Sequence, residues 1–404
     1  MSSQLNAEQR LLCDFCANIL FDKNVNPPEN FDVTELLKEA MHQTVLPIVC
    51  TGLKNLSLEN DTSKRCLYNT LAYNMRGNYN SAEICKLLKE NSIQYVILKG
   101  ISSADYYSLP LMRSVGDVDV LIAEKDIGRV DGLLRSIGYS TADDMSNPDR
   151  HIGYKRTDKG IKSTCEVHLR INGIPESLND VFGEYFNEIF DDSREIDVSN
   201  VKCFVPSSLH HGLILLLHTA SHMTGEGIGL RHLCDWAVFV NSFSDEEFTA
   251  LFNQPLSRTG LWRFAELLTL CCIKFLGVEN KKWCGQADDR ILDGILQDII
   301  TGGNFGYKDM DRYGQAKYIK NRKTQSIKDS NTIASAGSNI SEKAKEYAFV
   351  KRYKILLPLG WIAVVLKYVG LVIVRRRKID SVRTINDAKI RKSIYSEFKL
   401  FEVD

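Results

Sequence analysis

The sequence predicts an α+β protein in which a small mixed sheet is framed by helical regions before and after it. Three observations carry this expectation. Residues 5–90 repeat apolar side chains at helical spacing, first as Leu11, Phe15, Ile19 and Leu20, later as Ile84, Leu87 and Leu88. From about residue 92 the pattern turns to short apolar runs separated by polar turns. After Pro206 helical spacing returns, with Leu213, Leu216 and Leu217 on one face of a segment running from His210 to His222.

The elements follow in order. Pro27-Pro28 ends the first helix. Gln94–Leu98 and Asp117–Ile122 read as strands, and Asp126–Ile137 as a helix with an acidic residue at its start. Gly153–Arg156 and Ser163–Leu169 read as two more strands, joined by the turn Asp158-Lys159-Gly160. Strands mixed with one helix in this order predict a small mixed sheet. Gly229–Val240 and Leu261–Phe275 extend the second helical region. The expected regions are 1–90 (helical), 91–206 (α/β core), 207–300 (helical), 301–345 (polar and linker-like) and 346–404 (basic, apolar and helical).

Composition bounds the function. The chain has 404 residues, 44% of them hydrophobic, enough for two or three structural units. Lysine plus arginine and aspartate plus glutamate each number 51, so global charge gives no sign of a nucleic-acid binder, and no sequence-specific nucleic-acid partner is expected. The 11 cysteines are scattered and odd in number, which reads as reduced, cytosolic usage. Cys13-Asp14-Phe15-Cys16 has metal-ligand spacing, but no second pair lies nearby, so both are read as core helix residues. Met1–Arg10 is polar and has no secretory signal, so a cytoplasmic protein is expected.

The end of the chain leaves three readings open. Ile355–Val374 is almost wholly apolar and is followed at once by Arg375-Arg376-Arg377-Lys378. Its 20 residues just reach the ~20 that a membrane-spanning helix needs. A span would bury Lys367, which is costly, and Trp361, Lys367 and Tyr368 suit a helix packed on the protein or lying on a membrane surface. From 341 to 404 there are 15 Lys/Arg against 7 Asp/Glu, which is compatible with contact of 355–378 with anionic lipid, peripheral to an inner membrane.

The chemistry concentrates between 98 and 168. Asp117 and Asp119 are two apart among Val118, Val120 and Leu121. Strand alternation sends both carboxylates to one face and the valines to the other. Paired carboxylates at an interior strand repel unless a cation or a base neutralises them, so they suit a hard divalent ion such as Mg²⁺ or Mn²⁺. Arg113 is the competing neutralising partner. Glu166 shares a face with His168 in Cys165-Glu166-Val167-His168 and completes a carboxylate trio if that strand lies beside Asp117–Ile122. Lys99-Gly100, with Ser102 and Ser103 after it, is a candidate phosphate-binding turn, because glycine lets backbone N–H groups approach an anion closely. His218 and His222 are spaced i,i+4 on one helix face, but Thr219 stands where a metalloprotease helix carries glutamate, so they read as core or cleft histidines. Arg231 and Asp235 on the next helix are also i,i+4 and are expected to pair with each other or to line a pocket.

Together these residues resemble the nucleotidyltransferase superfamily typified by DNA polymerase beta. More closely, the chain resembles the bacterial family of uncharacterised nucleotidyltransferases. The likeness is carried by Leu98-Lys99-Gly100, by Arg113 before Asp117-Val118-Asp119, by Glu166-Val167-His168, by the helix with His218 and His222, and by Gly229-Leu230-Arg231-His232-Leu233-Cys234-Asp235. It covers residues 50 to 240 well and the ends loosely. The turn departs from the superfamily's Gly-Ser by reading Gly100-Ile101-Ser102. The resemblance implies Asp117, Asp119 and Glu166 as metal ligands, Lys99, Gly100 and Arg113 near a triphosphate, and transfer of an NMP group from an NTP such as ATP to a hydroxyl acceptor (sugar, lipid, peptide or protein). The alternatives are a catalytically degenerate nucleotide-binding scaffold and a membrane-peripheral assembly protein built around 355–378.

Overall fold

The structure, a computed structural model, describes residues 5–142, 151–158, 160–309, 312–319, 340–341, 343–345, 347, 350, 356–364 and 381–403. It is α+β, with a mixed five-stranded sheet framed by helices, as the sequence predicts. Four helices come first: α1 (Ala7–Phe21), α2 (Val33–His42), α3 (Leu46–Asn55) and α4 (Asp61–Glu90). Their starts are written in the sequence. Asn6 and Gln9 cap α1 reciprocally, and Asn60 and Ser63 do the same for α4, so the N–H groups left open by each first turn find partners.

The sheet strands are β1 (Tyr95–Ile97), β2 (Val118–Ile122), β3 (Ser140–Thr141), β4 (His151–Asp158) and β5 (Ile161–His168). The one-turn helix α5 (Ile101–Ala104) follows β1, and α6 (Ile127–Ser136) follows β2. The spatial order is β1-β2-β5-β4-β3, with β2 and β5 parallel and the other neighbours antiparallel. This order brings Glu166 opposite Asp119 and His168 opposite Leu121.

Alternation assigns the two faces. Tyr95, Ile97, Val118, Val120, Cys165 and Val167 turn into a core shared with Ile84 and Leu88 of α4 and Val130 and Leu134 of α6. The same core takes in a hairpin that the sequence reading did not anticipate, β6 (Arg194–Val198) with β7 (Val201–Val205), preceded by α7 (Asn179–Phe186). Its turn residues Ser199 and Asn200 both take positive φ, 51° and 65°, the backbone handedness that matches a two-residue hairpin. Across the sheet, Val96, Leu98 and Leu121 meet Ile189 and Ile214. The acidic residues share this second face.

The helices after the sheet are α8 (Ser208–Met223), α9 (Leu230–Asn241), α10 (Asp245–Arg258), α11 (Trp262–Leu276), α12 (Asp289–Gly302) and α13 (Arg312–Ile319), with α14 (Ser381–Tyr395) near the chain end. They share one large apolar core with the N-terminal helices, in which Leu11, Phe15 and Ile48 join Leu216, Trp236, Phe239 and Phe264. Cys13 and Cys16 lie in that core, in line with the reading of the CxxC pair as packing residues. Within 301–345, α13 is a packed helix rather than linker, because Arg312 is buried against Asp298.

Asp298 organises the C-terminal end. Arg312 Nη1 and Nη2 each donate to its carboxylate at 2.9 Å, Arg391 Nε lies 3.3 Å away, and the Tyr395 hydroxyl donates as well. Burial works against the charged form, but Arg391 and Arg312 outweigh it and hold the carboxyl below its usual range. A carboxylate with a depressed folded-state pKa adds stability above its unfolded value, and that stability is lost as pH falls through the folded one. The stability difference between wild type and Asp298→Asn is therefore expected to be constant above about pH 5 and to shrink progressively below about pH 4. Denaturant midpoints measured across that range check it.

Among the described residues, no helix is long and apolar enough to cross a membrane. Most of the apolar and basic segment 355–378, including Lys367 and the run from Arg375 to Lys378, lies outside the described residues.

Candidate active site

A cleft of about 840 Å³ opens beside the acidic face of the sheet, bounded by that face, the turn after β1, α8, α9 and Phe305. Asp117, Asp119 and Glu166 converge in it. One carboxylate oxygen from each lies within 4.8 Å of the others. The convergence follows from chain geometry: Asp117 and Asp119 alternate to the same side around β2, and the parallel pairing sets Glu166 beside Asp119. Gly153 stands opposite Glu166 on β4 and adds no side chain there.

Lys99 is the cation of this cluster. Leu98 N–H donates to the Asp119 carbonyl at 3.0 Å, which extends the β1–β2 pairing and carries Lys99 alongside Asp119. Lys99 Nζ lies 2.9 Å from Asp119 Oδ1. His168 Nε2 meets the same oxygen at 2.9 Å. Lys99, and not Arg113, is thus the base in contact with the pair, and it meets Asp119. Asp119 is almost fully buried. Burial alone would raise its pKa, yet Lys99 and His168 hold it well below the usual carboxylate range. Asp117 moves the other way, pushed up to about 6, first by the Asp119 charge and then by burial. Burial opposes the charge on Lys99 and on His168, but the neighbouring carboxylates win in both cases and raise their pKa values.

Gly100 has φ +70° and ψ −108°, a conformation that L side chains rarely adopt. A side chain there costs roughly 1–3 kcal/mol and strains the turn that presents Lys99. Gly100→Ala is expected to destabilise the chain by about that amount, measured by denaturant unfolding. Ser103 lines the cleft, and its buried hydroxyl has no partner. Ser102 does not belong with it: its hydroxyl donates to the Ile97 carbonyl, closing the strand end and leaving nothing for a phosphate.

Arg113 lies at the cleft wall, but its guanidinium is spoken for. Nε and Nη2 donate to the two oxygens of Asp235 at 2.8 Å each, and the Tyr107 hydroxyl donates to Asp235 at 2.7 Å. Asp235 therefore pairs with Arg113 across the fold and not with Arg231 one helical turn away. Forked geometry explains the preference: a guanidinium held edge-on satisfies both carboxylate oxygens at once. Arg231 donates from Nη1 to the Ser114 carbonyl at 3.2 Å, and its Nε has no partner. Arg231 lines the cleft and, unlike Arg113, forms no carboxylate fork.

His218 and His222 both line the cleft and meet His232 and Phe305 there. Ring centroids are 4.5 Å apart for His218–His222, 5.4 Å for His218–His232 and 4.8 Å for His222–Phe305. Burial keeps His218 and His232 neutral, and neither nitrogen of His232 has a hydrogen-bond partner. Sequence reasoning did not single out His151, Asn172 or Phe305 as site residues. A signal existed for His151, which lies two residues before Gly153 on an alternating strand and faces His168 in register. Phe305 comes from a loop 70 residues beyond Asp235 and carried none.

The mixed sheet thus presents Asp-x-Asp and a third carboxylate from the adjacent parallel strand in one cleft, with a Lys-Gly turn before it. The sequence model of the family described as uncharacterised nucleotidyltransferases matches residues 29–277, and the chain belongs to that family. The match ends at Gly277, the residue that caps α11. No curated protein matches the chain. Among solved structures, the chain is similar to an antigenic nucleotidyltransferase-like protein from Paracoccidioides brasiliensis, at 14% identity over 50% of this chain and 93% of that one, with a TM-score of 0.33.

Proposed function

We propose that this nucleotidyltransferase is metal-dependent and transfers an NMP group from an NTP to a hydroxyl acceptor, with Asp117, Asp119 and Glu166 as the ligands. The observation that carries the reading is the convergence of the three carboxylates within 4.8 Å, with Asp117 left short of positive charge even though Lys99 serves Asp119. Three hard oxygen donors at such separations suit Mg²⁺ or Mn²⁺. When bound, the ion or ions would screen the phosphate charge and bring acceptor and α-phosphate together.

The chain's own residues supply the rest. Lys99 and Arg231 attract the triphosphate, and Ser103 offers it a hydroxyl. Arg113 acts through Asp235, fixing the loop that leads into β2, so it is a positioning residue. The acceptor hydroxyl oxygen forms a bond to the α-phosphorus as the bond from that phosphorus to the β-phosphate bridging oxygen breaks. The hydroxyl proton passes to the Glu166 carboxylate, and pyrophosphate leaves. Most of the acceleration comes from positioning and charge neutralisation.

The test is Mg²⁺-dependent release of pyrophosphate from each NTP in the presence of cell extract as acceptor source. Arg231→Ala is expected to raise the KM for NTP about tenfold or more, through loss of a charge-assisted contact, with a smaller effect on kcat. NTP binding without turnover in extract would favour a nucleotide-binding scaffold.

A further inference from the structure

The acidic cluster has a nitrogen-bearing neighbour. His151 of β4, with Glu166 and His168 of β5, brings one donor atom from each side chain within 4.8 Å of the others. Among the described residues, this triad and the carboxylate trio are the two groups whose donors converge so closely, and Glu166 belongs to both. The donors of His218, His222 and His232 do not converge in this way.

The distances fit an ion. Zn²⁺ holds nitrogen and oxygen ligands at about 2.0–2.2 Å, which sets neighbouring donors roughly 3.0–3.5 Å apart in octahedral to tetrahedral arrangements. His168 Nε2 is 3.4 Å and His151 Nε2 is 4.0 Å from Glu166 Oε2. Bringing His151 Nε2 into that range of Glu166 takes a closure of about half an ångström, and the His151 side chain is 18% exposed. Two imidazoles and one carboxylate, with open positions for water or substrate, are the donor set of catalytic zinc and of non-haem transition-metal sites, whereas Mg²⁺ prefers oxygen alone.

Asn172 supplies the outer shell. Its amide Nδ2 lies 3.3 Å from His168 Nδ1, while its Oδ1 is buried with no partner. An ion on His168 Nε2 leaves the ring proton on Nδ1. A half turn of the Asn172 amide then gives that proton an acceptor and satisfies the orphaned oxygen.

We infer that His151, Glu166 and His168 form a second metal site, selective for a nitrogen-liking divalent transition ion of the Zn²⁺ class and bridged through Glu166 to the carboxylate site. The inference rests on donor geometry and not on the nucleotidyl-transfer reading. With both sites filled, Glu166 is the shared ligand of a two-metal centre and the acceptor proton leaves to water in the cleft instead, while His168 exchanges its hydrogen bond to Asp119 for the ion.

The experiment is a titration of the chelator-stripped, untagged full chain with Co²⁺ in excess Mg²⁺, followed by visible ligand-field absorption, with Zn²⁺ as competitor. One Co²⁺ is expected to bind with a nitrogen-ligand spectrum and to be displaced by Zn²⁺ but not by Mg²⁺. His151→Ala and His151→Gln, both at a partly exposed strand position, should fold normally. Each should weaken Co²⁺ about 100-fold or more, beyond the loss typical of removing an outer-shell partner. Asp117→Asn should retain Co²⁺, which separates this site from the carboxylate site whether or not nucleotide is turned over. The inference is overturned if both His151 variants bind Co²⁺ as wild type does, if Asp117→Asn abolishes binding, or if His222→Ala removes the ion instead.

Discussion

Asp119→Asn is expected to lower NMP transfer at least about 1,000-fold, roughly 4 kcal/mol of transition-state stabilisation, while the chain stays folded. The substitution keeps the shape of the side chain and removes the charge that faces Lys99 and His168, each 2.9 Å away. Lys99 retains Asp117 and Glu166 as nearby carboxylates, so the turn after β1 does not lose its anchor. Asp117→Asn should be nearly as damaging, since that carboxylate is the one without a base in contact. Steady-state release of pyrophosphate, beside circular dichroism and a melting curve on the same samples, separates lost chemistry from lost fold. Full activity in either variant would remove the carboxylates from the reaction.

The second large effect concerns stability. Asp235→Ala is expected to destabilise the chain by about 3–5 kcal/mol, because it leaves the Arg113 guanidinium buried and unpaired. Arg113 and Asp235 are each only 5% exposed, so water cannot take over the lost contacts. Tyr107→Phe removes one hydrogen bond to the same carboxylate and should cost only about 1 kcal/mol. Replacing both charged partners with apolar residues of similar volume should recover most of the loss, since the penalty comes from the stranded charge rather than from the pair itself. Equilibrium unfolding of the three variants checks the ordering. A loss below about 1 kcal/mol for Asp235→Ala would mean that Arg113 reaches solvent or another acceptor.

The sequence reveals the acidic cluster of this molecule better than its architecture. Alternation alone set Asp117 and Asp119 on one face, because a two-residue period leaves no other arrangement once the valines are buried. Glu166 needed one further fact, that β5 lies beside β2, and this is non-local: β4 comes between them in the chain yet pairs on the far side of β5. The partner of Arg113 was out of reach for the same reason. Asp235 lies 122 residues away, whereas helical spacing offered Arg231 as the nearer mate. The β6–β7 hairpin was within reach. Ile196, Val198, Val201, Cys203 and Val205 alternate with Glu195, Asp197, Lys202 and Phe204, but its turn is Ser199-Asn200 and lacks the glycine that usually marks a two-residue turn. Ser102 was misread because a hydroxyl beside a glycine turn suits either a phosphate or the chain's own carbonyl, and the geometry of the strand end decides between them.

In the proposed mechanism the cluster of Asp117, Asp119 and Glu166 drives metal-dependent transfer of a nucleotidyl group. The direct measurement is label transfer from α-³²P-labelled NTP, with γ-labelled NTP as control, by the purified chain in cell extract with and without Mg²⁺. Above the background of extract alone, α-label is expected to become covalently attached to an acceptor only with a divalent ion, γ-label to leave as pyrophosphate without attachment, and Asp119→Asn to transfer neither. Transfer of α-label by Asp119→Asn at the wild-type rate would contradict it.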